Sequence, residues 1–520
     1  METVLHFFQY VLQLLHLRSL PPDFALVLPE VQLLLFGMGI LLTDFLLEDQ
    51  YKYWNAVMAL LGVGFSGFSL WRLTNLQPEN SGGFNDSILV DPFFIFFGML
   101  FLMATALVVL LSVRYLTIEK ENHGEYYALL LLATVGMMFM TSGFDLIVEF
   151  LGLETMAISF YVLVGFLRRD RRSNEGAIKY LLLGAFSSGI LAYGFSILYG
   201  ISAVANLEQL FGQYIPLPRT NLAIIAAAVS RRQPNDMLVM LALMTIAAGL
   251  FFKVAAVPFH QWAPDVYEGA PTTITAYVSV ASSAASFGLL LRLFLTVFWP
   301  VRLNWEMILA GVAIASLTLG NFAAITQTNV KRLLAYSSIA HVGYILLGLV
   351  AGNEMGLQGI AYYLLAYLFM TTGAFAILIV LKKQGLAGDE LDDLNGLIKR
   401  SPTAAVLLLI FMLSLAGIPP LAGFIGKYFI FLALIQSKHY VLAVFGALYI
   451  VPALYYYFRI VVHAWLRDSS DTSRPAFTMA QTVALTVMCF VTLVAGIYPE
   501  PFVRLANYSL FLPFGPLSGR

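Results

Sequence analysis

Lys253 lies inside the apolar run FFKVAAVPFH and Lys427 inside LAGIPPLAGFIGKYF, each close to proline. A charge at bilayer mid-depth costs about 2.5 to 3.5 kcal/mol on insertion scales, so such groups mark paths for ions or protons. The two signals run in opposite order: Lys253 precedes Pro258, whereas Lys427 follows Pro419 and Pro420. Interrupted helices in corresponding positions of two mirrored halves point to the pathway of a transporter. The chemistry expected is therefore translocation of an ion or a proton.

Glu154, in DLIVEFLGLETMAISFYVL, lies 9 residues from Asp145 and 14 from Arg168, about 14 and 21 Å along a helix. That is near mid-depth. Lys253 is 17 residues past Asp236 and 12 before Asp265, so it is deep whichever boundary is used. Burial disfavours a charged lysine and a nearby carboxylate favours it, so a Lys253–Glu154 pair can be switched by small changes in separation. Such a pair can take up and release a proton; the competing reading is that these groups only pack or snorkel. Pro258 removes a backbone donor and frees a carbonyl, which water in a cavity would satisfy and extend into a proton wire.

Lys427 is 11 residues before Lys438, about 16 Å from that end if the chain between is helical. A run over 402–436 is too long for one straight helix, which makes GIPPLAG an unwound break. Lys179 follows Arg172 by seven residues, so it either snorkels to the surface or acts as a relay. His341, in AYSSIAHVGYILLG, can bridge the two lysines by changing protonation near neutral pH, or be a satisfied interior histidine. Glu149 lies five residues before Glu154, about 140° around the helix, and is secondary because it cannot share that face.

These residues need membrane helices to hold them. Of 520 residues 60% are hydrophobic and 11% charged, against about 25% charged in soluble domains. Apolar runs near 25–46, 53–72, 89–113, 125–142, 144–166, 177–200, 237–258, 270–298, 305–326, 332–351, 356–381, 402–436, 440–466 and 477–498 predict about 14 transmembrane helices, an all-α polytopic membrane protein. Sorting the gaps alternately puts Arg168, Arg169, Arg171, Arg172, Lys331 and Arg332 among many basic residues on one side. The other side has Arg72, Arg219, Arg231, Arg232, Arg302 and Lys438. The positive-inside rule makes the first side cytoplasmic and places both termini on the opposite side.

The first segment, METVLHFFQYVLQLLHLRSL, lacks a basic start and a small-residue cleavage site, which predicts a short extra helix. Nothing in 201–236 reads as a domain, and the loop KKQGLAGDELDDLNGLIKR is too short to fold alone, a cap or a partner contact. A net charge of -1 gives no electrostatic case for nucleic-acid binding. The one cysteine, Cys489, excludes a Cys-bound iron–sulfur cluster within the chain. The string GVGFSGF lies in an apolar span without a preceding strand, so it is not a dinucleotide fingerprint, and the histidines show no metal spacing.

The runs FKVAAVPFHQWAPDVYEGAPT, GNFAAITQTNVKRLLAYSSIAHVGYILLG and SLAGIPPLAGFIGKYFIF resemble the antiporter-like membrane subunits of respiratory complex I, over about residues 125–465. The lysine on the twelfth helix and the lack of a long lateral helix make the chain most similar to the subunit N branch. The resemblance implies two inverted five-helix repeats with broken helices 7 and 12. It divides the chain into N-terminal helices (1–124), a first repeat (125–298), a second repeat (299–466), and a final span with a short tail (467–520). It assigns Glu154 and Lys253 to the first half-channel, Lys179 to a modulating position beside it, and Lys427 to the second. One departure stands out: where relatives carry a lysine on the eighth helix, this chain has Ser283 in VASSAASFG. Serine can hold a water but carries no charge, so His341 with bound water becomes the expected bridge.

The function implied is that of a proton-translocating subunit of a bacterial inner-membrane NADH:quinone oxidoreductase, driven by quinone reduction elsewhere. No cofactor is expected in this chain; NADH, FMN, iron–sulfur clusters and quinone would belong to partner subunits. The neighbours implied are the antiporter-like subunit M and the small subunits K, J, A and H, within the lipid bilayer. The alternatives are a subunit of a multi-subunit cation/proton antiporter and a non-conducting assembly scaffold.

Overall fold

The computed structural model describes residues 22–76, 81–204, 218–382, 388–469 and 475–509. The extra helix expected at the N-terminus and the end of the C-terminal tail lie outside these residues. Eleven helices among those described are long and apolar enough to cross a membrane, from Asp49–Thr74 to Met479–Ile497. The chain is a multi-pass, helical membrane protein; among the described residues one two-stranded hairpin, Ser81–Gly83 with Ile88–Val90, departs from that plan. Within 201–236 the run NLAIIAAAV becomes a helix, Leu222–Ser230, and another helix, Glu500–Tyr508, follows the last apolar run.

Helix ends in a bilayer must satisfy their own backbone donors, and short polar residues do this here. Asp91 accepts from Phe94 N at 2.8 Å, Asp145 from Ile147 N at 2.8 Å, Asn329 from Arg332 N at 3.1 Å, and Asn353 from Gly356 N at 2.8 Å. Each begins the apolar run that follows, so the boundaries are written in the sequence.

The centre consists of Thr272–Thr296, Val330–Ala351 and Glu354–Leu381, whose apolar stretches are buried over at least 94% of their residues. A helix apolar all round can bury every face, and these carry their few polar groups inward. Glycines allow close approach between paired helices. A Cβ on Gly136 would meet Gly152 O at 2.6 Å, and one on Gly343 would meet Ala313 O at 2.9 Å. The Gly124–Ser142/Leu146–Val164 pair and the Arg302–Ile325/Val330–Ala351 pair are thus both closed by small residues.

Both expected breaks are present. Met237–Lys253 ends at the lysine and helix resumes at Trp262–Gly269. Pro402–Ala416 ends at Gly417 and resumes at Ala422–Gln436. The peptide bonds Val257–Pro258 and Pro419–Pro420 are cis.

Candidate proton pathway

Lys253 is the last residue of its half-helix and is 3% exposed. The partial negative charge of a helix C-terminus favours a cation there. Its Nζ has no hydrogen-bond partner and lies 5.9 Å from the centre of the Tyr161 ring. Glu154 is the carboxylate that acts on it, but the two are not in salt-bridge contact, and Glu154 Oε1 is buried without a donor. The helix explains the gap: Tyr161 follows Glu154 by seven residues, on the same face but about 10 Å further along. The carbonyl of Phe252 accepts from the Trp262 indole at 2.8 Å as well as from Ala255 N, and Ser316 Oγ accepts from Val257 N at 3.0 Å. A cleft of about 280 Å³ opens beside the break between Phe186, Ser187, Phe252 and Pro258.

Lys427 is engaged differently. It stands on the second half-helix and donates back to the C-terminus of the first, to Leu415 O at 3.1 Å and Ala416 O at 3.0 Å. Its Nζ lies 4.9 Å from the Tyr344 ring centre. Gly417 makes room: its φ is +87° and a Cβ there would come within 2.9 Å of Lys427 Cδ. Both lysines therefore meet the C-terminal dipole of a broken helix, one through its own position and one by direct bonds to carbonyls.

His341 is buried between tyrosines, its Nδ1 2.5 Å from Tyr363 OH and its Nε2 2.9 Å from Tyr457 OH. Tyr457 also bonds Ser337. From here hydroxyls lead toward the first half: Tyr367, whose ring centre lies 5.1 Å from that of His341, donates to Ser338 at 2.7 Å, and Ser338 faces Tyr267. Tyr180 faces Ser282 and packs edge-on against Tyr161, centres 4.9 Å apart, which returns to Lys253. Ser283 is half-buried, and no hydrogen bond to its side chain is formed among the described residues. Its buried neighbour Ser282 takes the central place, where Val278–Ser282 forms a π-helical turn, a feature frequent at functional sites.

Lys179 is not brought to Glu154. Its ammonium is 2.7 Å from Asp265 and 2.8 Å from Glu175, with the side chain 42% exposed, so of its two expected placements the structure has the one toward the surface. Asp265 also takes Arg332 at 2.7 Å, and Glu268 takes Arg332 at 2.9 Å and Arg172 at 3.5 Å. Burial raises the Asp265 carboxyl, but the hydrogen bonds and charges of Lys179 and Arg332 outweigh it and hold it below the usual value of 3.8.

Sequence reasoning missed three sets of residues. Tyr363 and Tyr367, one helical turn apart in YYLLAYLF, were a readable signal, as was the run Tyr455–Tyr457. Asp265 and Arg332 read only as loop charges. Arg292, alone in GLLLRLFL, is fully buried and forks onto Asp91 at 2.7 and 3.2 Å, a partner 201 residues away.

The family model for the NADH:quinone oxidoreductase/Mrp antiporter transmembrane region matches residues 143–451. The chain is 52% identical to NADH-quinone oxidoreductase subunit N 2 of Solibacter usitatus, over 94% of this chain and 98% of that one. It is 50% identical to subunit N 1 of Koribacter versatilis, over 94% and 96%. A chain of Thermus thermophilus respiratory complex I superposes with a TM-score of 0.75 at 29% identity, covering 92% of this chain and 99% of that one. The fold is also shared, at 19% identity and a TM-score of 0.76, with a chain of the Mrp complex from a Dietzia species. With broken helices, buried lysines and this likeness over nearly its full length, the chain belongs to the NADH:quinone oxidoreductase/Mrp antiporter transmembrane family, in its subunit N branch.

Proposed function

We propose that this chain is a proton-translocating membrane subunit of a bacterial NADH:quinone oxidoreductase, moving protons through Glu154, Lys253, the hydroxyl chain, His341 and Lys427. The observation that supports it most is the placement of two buried lysines against the C-termini of two broken helices. In this reading fourteen spans form two inverted repeats, 125–298 and 299–466, after N-terminal helices and before a last span. Both termini face away from the cytoplasm in the inner membrane, and subunits M, K, J, A and H are neighbours. The cofactors NADH, FMN, iron–sulfur clusters and quinone stay in other subunits.

Lys253 carries no hydrogen bond at its ammonium, so its charge depends on Glu154, Tyr161 and water at the break. A charge arriving from a neighbouring subunit that draws Glu154 away removes its counter-ion and favours proton release. The proton then passes along Tyr and Ser hydroxyls and bound water toward His341 and Lys427. Lys179, at the Asp265 cluster, modulates this from the cytoplasmic end by holding the helix after the first break.

The deciding experiment uses assembled complex in vesicles. Lys253→Ala and Lys427→Ala are each expected to lower NADH-driven proton uptake while the complex stays assembled. Normal pumping in both variants would overturn the reading. A cation/proton antiporter subunit is the second reading, favoured by the fold shared with an Mrp complex; isolation of the chain without flavin and iron–sulfur subunits would support it.

A further inference from the structure

Glu149 is fully buried, and neither oxygen of its carboxyl meets a donor. It lies on the turn before Glu154, packed against Gly143, where a Cβ would come within 3.0 Å of its Cγ. The charged groups that act on it are Arg292 and Asp145. Arg292 is held rigidly: besides its fork onto Asp91 it donates to the Thr141 carbonyl and stacks 4.8 Å from the Phe93 ring centre. Asp91 also caps Phe94 N. Asp145 caps Ile147 N and accepts from Thr220.

The three carboxyls Asp91, Asp145 and Glu149 are therefore unlike one another. Both oxygens of Asp91 and of Asp145 already accept hydrogen bonds, so a proton placed on either would break one. Glu149 has none to break. A buried carboxyl without donors favours the neutral form, while a permanently charged arginine beside it makes brief ionisation tolerable. Such a group can change protonation without rearranging its surroundings.

We propose that Glu149, beside Arg292, is a further proton-carrying residue at the end of the first half away from Lys179. The protonated carboxyl first releases its proton to the aqueous phase near Asp145 and Thr220, and the brief carboxylate is then reprotonated through water by the proton that leaves Glu154 or Lys253. The inference rests on the proposed translocation and adds its terminal site. Arg292 and Asp91 are positioning residues, since they touch no moving proton.

The test is Glu149→Gln and Glu149→Asp in the assembled complex, read as protons moved per NADH oxidised and by infrared difference spectroscopy of protonated carboxyls. Glu149→Gln is expected to slow coupled turnover by roughly tenfold or more and to remove one carboxyl band. Glu149→Asp should retain most of the turnover and shift that band. Pumping and infrared spectrum unchanged in Glu149→Gln, while Glu154→Gln and Lys253→Ala lose pumping, overturns this site alone. Pumping retained in all three overturns the pathway itself. Equal losses in Asp and Gln with no carboxyl band altered would mean that Glu149 only packs, and would also overturn the proposal.

Discussion

Lys253 and Lys427 are both buried, yet only Lys427 has hydrogen bonds at its ammonium. The difference predicts different tolerance. Lys253→Ala removes a side chain that satisfies no other group, so the complex should assemble, with quinone reduction strongly lowered; near-normal coupled activity would rule out its role. Glu154→Gln should behave alike and Glu154→Asp more mildly, because the charge is kept; equal loss in both would point to packing. For Lys427 the pocket itself is at stake. Gly417→Ala forces a side chain into a left-handed backbone, at about 1 to 3 kcal/mol, and presses on Lys427 Cδ. Lower thermal stability of the purified complex together with reduced pumping is expected, and an unchanged melting profile would show that Gly417 is not required.

At the scale of elements, the helices at the two breaks are tied down where the chain re-forms. Trp262–Gly269 is held by Asp265 and Glu268 to Lys179 of one helix and Arg332 of another. Because the Asp265 carboxyl is held below 3.8, its ion pairs are complete above that value and are lost only as pH falls through the lowered one. Activity changes between pH 5 and 8 therefore cannot come from Asp265. Asp265→Asn should lower stability by about 1 kcal/mol, since these groups are partly exposed, and leave the pH profile of turnover unchanged; a shifted profile would show that Asp265 itself handles protons. Breaks and buried lysines were legible because proline, and charge within an apolar run, each have a local cause. The tyrosines around His341 could be seen in the sequence as a spacing, but their pairing with the histidine could not. A helix apolar on every side, such as Glu354–Leu381, has no hydrophobic phase to tell which face looks toward which neighbour.

At the scale of the molecule, helices are joined by groups far apart in sequence. Lys331 reaches across to Ala270 O at 2.9 Å, and Tyr267, Ser338, Tyr367 and His341 form the inner connection. No local pattern predicts such pairings, which is why the sequence led to His341 but not to the hydroxyls that serve it. Ser283, at the position where the resemblance led us to expect a lysine, is half-buried and outside the hydroxyl chain. Ser283→Ala should therefore change pumping little, whereas His341→Ala removes the one imidazole that touches both Tyr363 and Tyr457 and should reduce it severely. The reverse ranking, measured on assembled complex in vesicles, would refute the central bridge. Ser283→Lys is the complementary test. The position is not fully enclosed, so a lysine can reach water, and the variant should assemble and partly restore pumping in His341→Ala. Failure to assemble would mean that the centre is dry there, and a dry centre cannot support a proton wire through bound water at this point.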